Sequence, residues 1–125
     1  MVRFYNSPML PIQRLHVTPR LSQVVIHGDT VYLAGQVAER AAGGSVADQT
    51  SEILQRIDRL LAEAGTDKKR ILQATIWLVN IGDFAEMNTV WDSWVPAEHS
   101  PARACVEARL AGPAYLVEIR VIAAR

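Results

Sequence analysis

Two spacings of apolar residues organise the chain. From Ser22 to His27 and again from Thr30 to Gln36 the residues are β-rich, with Gly28-Asp29 between them, which predicts a β-hairpin. Gln13 to Val17 reads as a short strand before Thr18-Pro19, and residues 1–12, with two prolines, as an arm or loop. The period then changes. Ile53, Leu54, Ile57, Leu60, Leu61 and Ala64 fall on one stripe at helical spacing, while Glu52, Gln55, Arg56, Asp58, Arg59 and Glu63 lie opposite. Ser45, at the end of a loop over Ala41–Ser45, is the expected N-cap, with Asp48 three positions on, and Gly65 is the expected C′ stop. Ile71 to Val79 is almost continuously apolar and predicts a central strand, buried on both faces or against a neighbouring subunit. Asp83 and Glu86 open a second helix whose stripe is Phe84, Met87, Val90, Trp91 and Trp94, and Pro96 ends it.

Two further alternating runs, Pro101–Leu110 and Tyr115–Ile122, predict a closing β-hairpin around Ala-Gly-Pro. The order β-β-α-β-α-β-β fits an α+β two-layer sandwich in one domain spanning residues 1–125. Alternation puts Arg103, Cys105, Glu107 and Arg109 on one face of the first run, and Leu116, Glu118, Arg120 and Ile122 on one face of the second. An even register buries Val106, Ala108, Val117, Ile119 and Val121 together. Arg103, Cys105 and Glu118 are then expected near one another.

Composition narrows the functional classes. The 125 residues include thirteen basic and thirteen acidic side chains, so no net charge favours nucleic acid or an anionic membrane. One cysteine cannot form an internal disulfide. With no apolar leader and no apolar run of membrane-spanning length, a cytoplasmic protein is expected. His16, His27 and His99 are widely spaced, which argues against a metal site, and no nucleophile elbow, phosphate loop or dinucleotide fingerprint occurs.

The candidate chemistry is concentrated in the last two runs. Arg103 offers a planar fork of donors to a carboxylate, or a salt bridge to Glu107 or Glu118. Glu118 can serve as a general base, or simply as a charge on a solvated face. Cys105 reads more readily as a small hydrophobe than as a nucleophile. Gly35 marks a bulge, a strand end or a close approach of backbone to ligand.

Pro101-Ala-Arg-Ala-Cys-Val, Val117-Glu-Ile-Arg-Val-Ile-Ala, Gly35-Gln36 and Asp83-Phe-Ala-Glu-Met-Asn88 together resemble the Rid (YjgF, L-PSP-type) family of imine and enamine deaminases, in a less-studied branch. The resemblance extends from about Ser22 to Ala123. It implies a chorismate-mutase-like fold, a mixed six-stranded sheet with two helices on one face, and three copies packed as a barrel with clefts between subunits. It implies hydrolysis of reactive 2-imino acids to 2-keto acids and ammonia, without a cofactor, in the manner of a 2-iminobutanoate/2-iminopropanoate deaminase. Arg103 then matches the arginine that binds the substrate carboxylate, and Glu118 the glutamate that positions water. Cys105 matches a cysteine whose backbone N–H meets the ligand, and Gly35 and Asn88 match further cleft positions. Two positions depart from the pattern. Leu21 stands where the family usually has tyrosine and Ala34 where it often has serine, which implies a less polar pocket and a larger or more apolar substrate. The alternative function is a non-catalytic trimer that binds a small 2-keto or other carboxylic acid as a sensor or interaction platform. The balanced charge lends no support to ribonuclease activity.

Overall fold

The core is a layer of branched aliphatic side chains between one sheet face and two helices, as seen in a computed structural model that describes residues 9–125. The strands are β1 (Ile12–Val17), β2 (Ser22–His27), β3 (Thr30–Leu33), β4 (Ile71–Leu78), β5 (Ala102–Glu107) and β6 (Val117–Ala124). The helices are α1 (Val46–Glu63), between β3 and β4, and α2 (Phe84–Trp94), between β4 and β5. The order across the open sheet is β1-β2-β3-β6-β4-β5, with β4 and β5 parallel and every other neighbouring pair antiparallel. Residues 1–8, most of the expected arm, lie outside the described residues, and Ile12 already belongs to β1.

The local readings hold where short-range chemistry sets the structure. The Ser45 hydroxyl accepts the Asp48 N–H at the start of α1. At its end Gly65, with φ of 83°, makes a Schellman closure: Gly65 N–H donates to Ala62 O and Thr66 N–H to Leu61 O. The stripe of α1 is buried as expected, and β2–β3 is a hairpin around Gly28-Asp29. In α2, Asp83 makes no side-chain cap. Glu86 instead accepts the Ala47 N–H at the first turn of α1, tying the helices together, and Phe84 is 41% exposed rather than core.

The closing hairpin is not formed. β5 and β6 never pair, because β4 lies between them. Burial explains the choice. Val117, Ile119, Val121 and Ala123 of β6 and Ala74, Ile76 and Leu78 of β4 are all buried, which suits two adjacent interior strands. β5, with Arg103 and Glu107 exposed, is suited to a sheet edge. The intervening strand also corrects the register. Arg103 stands opposite Ala74, and Ala74 opposite Val121, whereas Glu118 stands opposite Trp77, and Trp77 opposite Val106. Paired residues point to the same side. Arg103 and Cys105 therefore lie on the helix-covered face and Glu118 on the open face, so the expected meeting of the three within one chain does not occur. β4 is buried on its helix-facing side only; Thr75 and Trp77 are half-buried and Gln73 is exposed on the other. Among the described residues no helix is long and apolar enough to cross a membrane.

Candidate active site

On the edge strand, Arg103 extends toward α2. Its Nη1 donates to Asn88 Oδ1 at 2.8 Å, and its guanidinium carbon lies 5.2 Å from the Trp91 ring centroid and 5.7 Å from that of Phe84. Phe84, Asn88 and Trp91 follow one another at i, i+4 and i+7, so they form a single stripe of α2 facing β5. One guanidinium nitrogen is committed to Asn88, and further N–H groups of the fork remain for an acceptor in its plane. Cys105, two residues along on the same side, is half-buried. Burial pushes its thiol pKa up, with Arg103 opposing only in part, so it is a thiol rather than a thiolate at neutral pH.

The second group is built around Gly35. Ala34 N–H donates to Gln23 O, while Gln36 and Ile119 exchange backbone hydrogen bonds at 2.8 and 3.1 Å. The Gln36 side chain, 1% exposed, donates to Gln23 Oε1 and Ala34 O and accepts from Arg56 Nε. These bonds hold the 34–36 backbone against β6 at the point where Glu118 rises from the open face. A Cβ on residue 35 would overlap the Glu118 carboxyl group, so glycine leaves the space that the carboxylate fills. Burial raises the Glu118 pKa, and the nearby Arg120 guanidinium, stacked 5.5 Å from the Trp77 ring, offsets part of that rise. A carboxylate with raised pKa and no ion-pair partner among the described residues is suited to exchanging protons with a ligand or water.

Ala34, Gly35 and Arg120 line an open groove of about 410 Å³ on this face. Ser22 and Tyr32 line it too, so the groove carries hydroxyl groups despite alanine at 34. Leu21, 46% exposed, lies in the β1–β2 turn that Thr18 closes through hydrogen bonds with Leu21 N and O. The candidate residues thus fall into two groups, Arg103, Asn88 and Cys105 at the β5 edge, and Ala34, Gly35 and Glu118 on the open face. No three His, Cys, Asp or Glu side chains among the described residues converge as a metal site.

Several contributors were not apparent as such in the sequence. Phe84 and Trp91 read as core stripe, although an asparagine between them, on the same helical face, was the available sign of a polar partner. Gln36 lay in plain view beside Gly35, but its role depends on Gln23, Arg56 and Ile119, which are distant in the chain.

Comparison with known proteins places these features in a family. Residues 11–125 match the family described as Endoribonuclease L-PSP. A RutC family protein of Haemophilus ducreyi is 46% identical over 113 residues, covering 90% of this chain and 96% of the relative. The RutC family protein YoaB of Escherichia coli is 44% identical over 115 residues, covering 92% and 99%. Among solved structures, NMB1025 of Neisseria meningitidis, a member of the YjgF family, superposes with a TM-score of 0.91 at 47% identity, over 94% of this chain and 98% of that one. A Rid-family protein of unknown function from Yersinia pestis superposes with a TM-score of 0.79 at 30% identity, over 87% and 90%.

Proposed function

The chain belongs to the Rid/YjgF/L-PSP family and has its chorismate-mutase-like fold, and on that premise we propose that it hydrolyses 2-imino acids to 2-keto acids and ammonia. The observation that carries this reading is the division of labour between Arg103 and Glu118. One is a braced cation with in-plane donors free; the other is a carboxylate whose pKa is raised by burial. Because they occupy opposite faces of one sheet, the working cleft joins Arg103 of one copy to Glu118 of another in a homotrimer. Apolar side chains left uncovered on the open sheet face support that assembly, since Tyr32 and Val106 are each 44% exposed there.

In the reaction, Arg103 takes the substrate carboxylate and sets the imine carbon in place. Glu118 accepts a proton from water as the water oxygen bonds to that carbon and the C=N pair moves to nitrogen. Glu118 returns its proton to nitrogen to give the carbinolamine, then takes the hydroxyl proton as C=O re-forms and hands it to nitrogen, which leaves as ammonia as the C–N bond breaks. Imino acid and water go in; keto acid and ammonia come out. Cys105 contributes its backbone and bulk rather than a thiolate. Gly35 and Ala34 border the water position, Asn88 braces Arg103, and Leu21 lies at the rim. No cofactor is required for this sequence of steps.

The test generates imino acids with an amino-acid oxidase and traps residual imine with semicarbazide. The wild-type protein is expected to reduce the trapped product, and Arg103→Ala to abolish the effect. Equal inertness of the two across several amino acids would overturn the deaminase reading. The loss of hydroxyls at Leu21 and Ala34 favours one alternative, a carboxylate-binding trimer without turnover. It predicts 2-keto acid binding that depends on Arg103 in calorimetry while imine decay stays unchanged.

A further inference from the structure

We infer that Trp91 and Asn88 are positioning residues for Arg103, holding its guanidinium in the one orientation that accepts a planar carboxylate; the inference rests on the proposed role of Arg103. An arginine on an edge strand is ordinarily free to sample many rotamers, and fixing such a side chain on binding costs affinity. Here three constraints come from a single helical stripe. Asn88 Oδ1 accepts from Nη1 at 2.8 Å and sets the direction of the fork. Trp91, only 4% exposed, brings its ring to 5.2 Å from the guanidinium carbon, and Phe84 lies at 5.7 Å. The Trp91 ring is itself immobilised, packed at 5.3 Å and 55° against Trp94, whose indole N–H donates to Asp58 of α1. The arginine is thereby referenced to the core through a buried indole as well as to the edge strand that carries it.

This arrangement changes the role of Asn88. Its carbonyl oxygen accepts from Arg103, which gives it a route to the ligand through the arginine. Arg103 in turn forms no salt bridge with any carboxylate among the described residues, which leaves its charge uncompensated for an incoming anion. An aromatic neighbour and a neutral amide hold the cation without neutralising it, whereas an aspartate or glutamate in either place would compete with the substrate.

The experiment is a double-mutant cycle read by calorimetry with 2-oxobutanoate as the carboxylate probe, alongside the semicarbazide assay. Trp91→Phe keeps an aromatic core residue but gives the guanidinium a smaller ring, and is expected to weaken binding about two- to fivefold, the range of an exposed cation–π contact. Asn88→Ala is expected to weaken it to a similar degree, and Asn88→Asp to weaken it further by neutralising the fork. In an Arg103→Ala background these changes should have no further effect on binding. In turnover, Trp91→Phe should raise KM more than it lowers kcat. Additive losses in the Arg103→Ala background, or unchanged binding in Trp91→Phe and Asn88→Ala while Arg103→Ala abolishes it, would overturn the positioning role. Binding of the probe to Arg103→Ala as tight as to wild type would overturn the role of Arg103 itself. Urea unfolding of each variant separates these outcomes from loss of fold.

Discussion

At the scale of single residues, the most instructive position is Gly35, whose missing side chain is what the site uses. The atom that a Cβ would meet is the end of a flexible glutamate rather than backbone, so Gly35→Ala is expected to fold with nearly the wild-type thermal midpoint while its carboxylate is pushed aside. Imine hydrolysis should fall about a hundredfold, the scale of a 1 Å misplacement of a reacting group. Unchanged turnover in this variant would remove Glu118 from the mechanism. Glu118 supplies a second prediction through pH. Its folded pKa stands above the ordinary value of 4.5, so the ionised form is the one that folding disfavours. The penalty is absent below the ordinary value, where both states carry the proton, and is in full force once pH exceeds the raised folded value. Glu118→Gln should therefore be at least as stable as wild type at neutral pH, with the advantage vanishing in acid, while losing activity. Wild-type activity should show an acid limb above pH 4.5, where the base takes up its proton. Stability curves against pH and a pH–rate profile check both statements.

At the scale of elements, legibility followed the range of the interactions involved. The caps of α1, its apolar stripe and the β2–β3 hairpin are set by residues a few positions apart, and all were readable from Ser45, Gly65 and Gly28-Asp29. The pairing of β5 was not. Alternation reveals which residues share a face of one strand, but relating two strands requires knowing which are neighbours, and β4 precedes β5 by a whole helix. Arg103 and Glu118 were thus recognisable as chemistry while their mutual placement was inverted. Buried polar side chains act at this same scale. Gln49, fully buried near the start of α1, donates to Gly44 O and Ala114 O and accepts the Leu116 N–H, tying the loop before β6 to the helix. Gln49→Leu leaves Gly44 O and the Leu116 N–H without that partner, while Ala114 O still accepts from Gly43 N–H, and is expected to cost on the order of 1–3 kcal/mol in urea unfolding. Ser45→Ala, which removes only the N-cap, should cost about 1 kcal/mol.

At the scale of the whole molecule, one sheet face is sealed by helices and the other is left partly apolar, with Tyr32, Trp77 and Ile122 on it. Trp77→Lys or Ile122→Lys should convert the expected trimer to monomers in sedimentation velocity while far-UV circular dichroism is retained, and activity should be lost with the assembly. A variant that stays trimeric would place the interface elsewhere. The strand order has a consequence of a different kind. β6 follows every other strand in the chain yet inserts between β3 and β4, so it is the keystone of the sheet. Until it arrives, β1–β3 and β4–β5 are two separate ribbons with raw inner edges, and Gln36 has no Ile119 to grip. Neither inner edge is paired until Val117–Ala124 takes its place between them. The approach of Glu118 to Gly35 and the completion of the sheet therefore depend on the same strand.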